Sequence, residues 1–515
     1  MRQIFCKILF LLTTFILAII LIQTVTARFP LEPLKGAQVK AEKPRFNFAS
    51  YVDGSFQREL ENYTRDNFGF REKLIRLYNQ YLYTFFHKTN NVSILFGKDD
   101  WLFESDFVKD HYESMMYDYT DDCSEMSAIF EKEALRLWKV QELLKEYDIH
   151  IFVNIIPGKD VIYPEYLPEN TAYFKPEGLH AYDFYKKRFD ELGVNYVDNV
   201  AVFKKIKDSV DYQLFTKTGT HWSNIASIYV FDSIRNYMEK LGNKNLTDIE
   251  IGKKYEDETR EPDNDLEKLL NLTCKMKTRT NFYADVKAIE DSTAEKPYFT
   301  VIGDSYFWNF IYNIPLNDIF KKVPYWYYNS TIYNDENHYS TLELDFETEL
   351  MRTDYIMLNY CTVQLYKLGN NFISKALLYL CYDKQTIDAT AQNVINGIKS
   401  DEKWYAQIVE KAHSNGISVE EELYNNAIYV ICLDPEKYFE ELNSDQLPVS
   451  RNGKLKSMKG LQTEPEVVND ALQNLKNYIY TDEQWMSKIK KKAKQNGISV
   501  EEQLDIDARW ALEHP

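Results

Sequence analysis

Apolar positions recur in three registers along this chain, and each register predicts a different kind of element. From Ile8 to Ile22 they are almost unbroken, with Arg2 and Lys7 ahead and Gln23-Thr24-Val25-Thr26-Ala27-Arg28 behind. A basic start, an apolar centre and a small-residue end make an export element. It is either a cleavable signal ending at Ala27 or, counted to Val25, an apolar run of about 18 residues just long enough to remain as a membrane anchor. The anchor is the expectation, and positive charge ahead of the run holds the N-terminus in the cytoplasm and delivers the rest to the periplasmic side; a cleaved signal would release it there. The second register is helical: Phe56, Leu60, Tyr63, Phe68, Ile75 and Tyr78 within 56–86, Met126 to Leu144, and Ile225 to Met238. The third consists of short apolar runs at His150–Pro157, Val194–Val197, Tyr298–Ile302 and Tyr355–Leu358, which suit buried strands of a parallel sheet. Because helical patterns separate these runs, the predicted fold class is α/β, an open parallel sheet with helices on both faces. Such sheets bind ligands beyond the carboxyl ends of their strands. The residues there are Gly158-Lys159, Asp198-Asn199, Gly303-Asp304-Ser305 and Asn359-Tyr360.

The organisation that follows is an export segment at 1–27, a tether at 28–46 containing Pro30, Pro33 and Pro44, an α/β domain at 47–375 and a helical region at 376–515. Within the last, residues 402–431 and 483–512 are an internal repeat. In both copies a helix stops at Asn-Gly (Asn415-Gly416, Asn496-Gly497), and Ser418 or Ser499 with Glu421 or Glu502 starts the next as a capping box. These are two helical hairpins, expected to pack on each other or on the α/β domain.

Composition narrows the function classes. The chain has 515 residues, 44% of them apolar, enough for a substantial core, and 61 Lys plus Arg against 79 Asp plus Glu give a net charge of −18. That excess of acid argues against nucleic acid as a partner. Cys6 belongs to the export segment, and Cys123, Cys274, Cys361, Cys381 and Cys432 form no CxxC pair and have no histidine at ligand spacing, so neither metal, disulfide scaffold nor cofactor is indicated. The 39 Tyr and 30 Phe leave aromatic surface for sugar rings.

Two constellations can carry chemistry. In Thr300 to Trp308 (TVIGDSYFW), Ser305 stands where a strand gives way to a helix, a place that favours developing negative charge and suits a nucleophile; the plainer reading is that Asp304 or Ser305 merely caps the helix. In Lys217 to Ser223 (KTGTHWS), His221 sits in the loop before a helix capped by Ser223 and can act as a general base, or can be a surface histidine bonded within its loop. Asn359 is a candidate oxyanion donor or an ordinary turn residue, Lys159 a candidate for orienting a substrate carboxylate or an ordinary loop lysine, and Trp222 and Trp308 a candidate sugar-stacking wall or core packing.

Taken in order, the export segment, Phe56–Glu72 (FQRELENYTRDNFGFRE), Gly97–Phe103 (GKDDWLF), Ile155–Pro168 (IIPGKDVIYPEYLP), Thr218–Ser223 and Ile302–Ser305 resemble the alginate O-acetyltransferase-like family with an SGNH-hydrolase-like domain, over roughly residues 45–375. The resemblance implies that Ser305 accepts the acyl group, that His221 is its base, and that the chain acetylates an exported polysaccharide beside a membrane-bound O-acyltransferase that supplies acyl groups. One departure matters. The family pattern is Asp-Thr-His-Trp, and Gly219 stands where the acid is expected, leaving the imidazole without the partner that fixes its tautomer. Either another acid such as Asp211 or Asp198 replaces it, or a Ser–His dyad suffices, or the site binds glycan without turnover. The expected functions are accordingly a polysaccharide O-acetyltransferase, a glycan O-acetyl esterase using the same residues, or a membrane-tethered glycan-binding scaffold.

Overall fold

A computed structural model describes residues 2–36, 40–113, 123–168, 180–277, 280–334 and 337–451, with isolated helical positions between 486 and 504. Apart from those positions, the second repeat at 483–512 lies outside the described residues.

A hairpin comes first, β1 (Ile94–Phe96) against β2 (Leu102–Glu104), turned through Asp99 and Asp100, both with positive φ. The central sheet then takes β3 (His150–Ile156), β4 (Tyr196–Asp198), β5 (Phe299–Gly303), β6 (Tyr325–Tyr327), β7 (Thr331–Asn334), β8 (Asn337–Ser340) and β9 (Tyr355–Cys361) in the order β8-β7-β6-β5-β9-β3-β4. The four runs read from the sequence are its four parallel neighbours β5, β9, β3 and β4; β6 extends the parallel set, and β7 and β8 close it as an antiparallel meander. The fold class read from the sequence is therefore the one observed.

Strand periodicity divides the core into two layers. Ile356, Leu358 and Tyr360 of β9 join Ile151, Val153 and Ile155 of β3 in one buried cluster, while Tyr355, Met357 and Cys361 join Phe152 and Ile156 in the other. The first layer is covered by the helix Cys123–Lys145 and by C-terminal helices including Phe372–Cys381, the second by the helix Asn224–Gly242. Because Phe372–Cys381 runs across residue 375, the boundary expected there falls inside one element. The first helical hairpin is built as its sequence indicates: helices Glu402–Asn415 and Val419–Leu433 flank Gly416 at φ 68°, and Ser418 accepts from Glu421 N. Ile408, Ala427 and Ile431 place it in the same apolar layer as β3 and β9.

The N-terminal region differs from a free tether. The apolar helix Arg2–Thr26 is long and apolar enough over Gln3–Thr26 to cross a bilayer. Its last turn docks on the folded body. Gly69 N donates to Thr24 Oγ1 at 2.7 Å, and a Cβ at Gly69 would stand 2.4 Å from Ile20 O. The helix expected over 56–86 is split into Ser55–Asn67 and Arg71–Phe86 by an extended Phe68 and a left-handed Phe70 at φ 61°. The described residues of this stretch, 28–36 and 40–46, are strapped down rather than loose: Arg76 donates to Glu32 O and Pro33 O, Lys35 pairs with Asn271, and Lys40 binds Glu72 at 2.7 Å.

Candidate active site

Beyond the carboxyl ends of β5 and β9 lies a small cleft of about 150 Å³. The chain reaches it at Gly303, whose α-carbon faces Asn359 so closely that a Cβ would meet Asn359 O at 2.1 Å. Asp304 then pins the turn from both sides: Oδ1 accepts from Tyr306 N at 3.1 Å and Oδ2 from Cys361 N at 2.6 Å. Its carboxylate is buried, which pushes its pKa up, while the amides it accepts pull the other way. Asp304 is thus a cap, and Ser305, the first residue of the short 3-10 turn Ser305–Phe307, opens into the cleft.

His221 arrives from the opposite wall. Phe215 and Trp222 pair across the base of the loop 216–221, and Ser223 caps the helix Asn224–Gly242 through Ala226 N. Alternate residues of the loop face opposite ways. Thr216 and Thr218 donate hydroxyls to Asp263 O, Thr218 O accepts from Glu267 N, and Thr220 N donates to Asp265 Oδ1 at 2.7 Å. On the other side Lys159 Nζ donates to Lys217 O and Gly219 O, at 3.1 and 2.6 Å, and to Leu102 O at 2.6 Å.

Between these walls His221 Nε2 stands 2.9 Å from Ser305 Oγ and Nδ1 stands 2.8 Å from Asp265 Oδ2. With Nδ1–H donated to Asp265, Nε2 is left to accept the Ser305 hydroxyl proton. The Asp265 carboxylate is itself held, since Oδ1 also accepts from Leu266 N at 2.7 Å. Burial would push the His221 pKa down, but the hydrogen bond and charge of Asp265, with Glu104 and Asp304 nearby, more than offset it and hold the imidazole above its ordinary value. Glu104, at the end of β2, is a second cleft carboxylate; burial pushes its pKa up, and it accepts from Thr220 Oγ1 at 3.2 Å.

The acid is therefore neither of the two weighed from sequence. Asp211 pairs with Lys254, and Asp198 accepts from Lys186 and Tyr182 and caps the helix Asn199–Ile206. Asp265, 44 residues further along the chain than His221, was missed. Its only local signal is its position at the head of the short run Asp265-Leu266-Glu267-Lys268-Leu269, behind Pro262. The glycine at 219 and the acid at 265 are connected: a Cβ on Gly219 would stand 2.6 Å from Asp263 O and 2.8 Å from Thr216 Oγ1. An aspartate there would push away the very segment that delivers Asp265. Gly219→Ala is accordingly expected to lower stability by about 1–3 kcal/mol through overpacking, read as a drop in denaturant midpoint at unchanged slope.

None of the remaining candidates lines this cleft. Lys159 is buried beneath the His221 loop, its pKa pulled down by burial to about 7, and is a positioning residue rather than a cleft cation. Asn359 stays within the sheet, where Oδ1 accepts from Asn154 Nδ2 at 2.8 Å. Trp222 is fully buried and packs on Phe310 and Tyr306. Trp308 is half-buried outside the cleft among Tyr312, Tyr325, Tyr327 and Tyr333, so the two tryptophans form no common wall.

Residues 94–314 match the family model for the SGNH hydrolase-like domain of the acetyltransferase AlgX. That stretch, which holds both Ser305 and His221, is therefore similar to an SGNH hydrolase-like acetyltransferase domain. No curated protein matches it. Among solved structures it is similar to the O-acetyltransferase domain of Pseudomonas putida AlgJ, at 17% identity over 55% of this chain and 98% of that one, TM-score 0.36. It is also similar to Pseudomonas aeruginosa AlgX, at 13% identity over 54% and 66%, TM-score 0.35, and to Bacillus cereus PatB1 with a sulfonyl adduct, at 14% over 54% and 99%, TM-score 0.33.

Proposed function

We propose, from an acetyltransferase-family domain whose cleft joins a serine, a histidine and an aspartate, that this chain acetylates hydroxyl groups of an exported polysaccharide through an acyl-enzyme on Ser305. The observation that carries the reading is the relay Ser305 Oγ, His221 Nε2, His221 Nδ1, Asp265 Oδ2, with both contacts under 3 Å. In the first half-reaction Ser305 Oγ bonds to the acetyl carbonyl carbon while its proton passes to Nε2. The donor's carbon–oxygen bond then breaks, and the leaving oxygen takes that proton from the imidazolium. In the second, a sugar hydroxyl gives its proton to Nε2, attacks the acetyl carbon and releases Ser305, which recovers the proton. Asp265 accepts the Nδ1 hydrogen throughout and stabilises the transient imidazolium. At about 150 Å³ the cleft has room for an acetyl group.

Arg2 and Lys7 in the first turns of the apolar helix support export with the body on the periplasmic side. Acetyl groups made in the cytoplasm then need a carrier across the bilayer, the role of a membrane-bound O-acyltransferase partner. An esterase would use the same relay with water as acceptor.

The test is peptide mass spectrometry of the full chain, acid-quenched after mixing with p-nitrophenyl acetate. An acetyl group is expected on the peptide holding Ser305 and absent from Ser305→Ala. An acetyl group on another residue, or an equal yield in His221→Ala, overturns the reading. Adding an acetylatable oligosaccharide separates transferase from esterase, since only the former yields acetylated sugar.

A further inference from the structure

The helix Arg71–Phe86 presents its two faces the wrong way round for a helix on a soluble body. Glu72, Arg76, Asn79 and Tyr83 recur at helical spacing along one face, and that face is bound inward. Glu72 pairs with Lys40, Arg76 donates to Glu32 O and Pro33 O, Asn79 Nδ2 donates to Leu270 O at 2.8 Å, and the Tyr83 hydroxyl donates to Asp100 at 3.2 Å. Leu74, Leu77, Tyr78, Tyr81 and Phe85 recur along the opposite face, and each is between 41% and 71% exposed. An apolar stripe of that kind ordinarily faces the core. Here the rings of Phe85 and Phe86 gather on Tyr81 at the surface instead, with centroids 5.3 and 5.4 Å away.

Position and charge together name what covers this stripe. The helix Arg2–Thr26 has 25 residues, a length of about 37 Å against a hydrocarbon layer of about 30 Å. Gly69, just ahead of the striped helix, is seated on Ile20 and Thr24, and Ile20 lies about 9 Å inward of Thr26 along the helix axis. With the N-terminal helix across a bilayer, Gly69 therefore stands at the outer border of the hydrocarbon, and Leu74 follows within two turns. Charge agrees with that depth. Arg71, Lys73 and Arg76 face Glu72 alone on this helix, a local excess of cations in a chain whose net charge is −18. Leucine and aromatic side chains on one face, with arginine and lysine on the remainder, are the composition of a helix lying in the headgroup layer.

We infer that Arg71–Phe86 lies in the outer interface of the bilayer that the N-terminal helix crosses, its stripe sunk among the acyl chains and its cations level with anionic headgroups. The inference rests on the membrane-anchor part of the proposed function and not on acyl transfer. It has a consequence for the active site. Leu270, gripped by Asn79, directly follows Leu269 of the cleft wall, so the seated helix holds that wall close to the lipid surface.

The experiment places p-benzoyl-phenylalanine, one position at a time, at Tyr81, Leu77, Phe15 and Lys399 of the full chain, reconstituted in vesicles of phosphatidylethanolamine and phosphatidylglycerol. After irradiation, the mass of the intact chain shows what each position has joined. Lys399, exposed on the helix Lys384–Ser400, is the aqueous control, and Phe15, exposed in the apolar helix, reports on the anchor itself. Chain plus one phospholipid is expected from Tyr81, Leu77 and Phe15 at yields several-fold above Lys399, with p-nitrophenyl acetate turnover unchanged; Leu77 carries the reading should the Tyr81 variant lose turnover. Yields at Tyr81 and Leu77 no higher than at Lys399, or adducts there that join two copies of the chain, overturn the inference, and a lipid adduct at Phe15 then leaves the anchor standing. No lipid adduct at Phe15 removes the anchor and this inference together. The acyl-enzyme on Ser305 is read separately and survives either result.

Discussion

Ser305→Ala is expected to lower acetate release from p-nitrophenyl acetate by on the order of 10⁴-fold, with kcat carrying the loss. The serine, 2.9 Å from Nε2, is the residue that the proposed acyl-enzyme bonds to the acetyl carbon, and no other hydroxyl among the described residues bonds that nitrogen. His221→Ala should cost nearly as much. The double variant should cost little more than either single one, because removing the base from a site that has lost its nucleophile removes nothing further. Steady-state kinetics of the three variants check this: losses that multiply would mean that serine and histidine act independently and that the relay is not the catalytic unit.

Asp265→Asn is expected to reduce kcat by about 10³–10⁴-fold with little change in KM. An asparagine Nδ2 facing Nδ1 would donate, turning the imidazole to the tautomer in which Nε2 carries the hydrogen and cannot accept from Ser305. The residual activity should also move in pH. In the native chain the imidazole must be neutral to act as base, and Asp265 holds its pKa above the ordinary value, so the rate climbs as pH rises through that elevated midpoint. Without the carboxylate, burial is left to dominate and the limb should shift to lower pH. A variant with full kcat and an unmoved limb would return the site to a Ser–His dyad.

The contrast between these two residues shows what a linear reading can reach. The four strands were legible because parallel strands buried on both faces must be apolar throughout, and Ser305 was legible because a ligand site follows such strands. His221 was legible from its loop and the Ser223 cap. Asp265 was not, because its place is set by three threonines gripping residues 263–267 from another part of the chain, an arrangement with no local periodicity. The same limit applies to Lys159, whose burial under carbonyls 217 and 219 is a tertiary fact. A gap at the family's acid position reads in sequence as a loss; in three dimensions it is the space through which a replacement enters.

The docking of the N-terminal helix at Gly69 sets how this enzyme can search. With Thr24 bonded to the Gly69 amide and Gln23 clasping Phe29 at both amide atoms, the helix and the catalytic body turn as one lever. If that helix is lodged in a bilayer, the orbit of Ser305 is a fixed arc about it, reached by rotation and lateral drift rather than by paying out a leash. Clipping the chain after Ala27 would free the body to roam and, in the same cut, take away the peg on which Gly69 is seated.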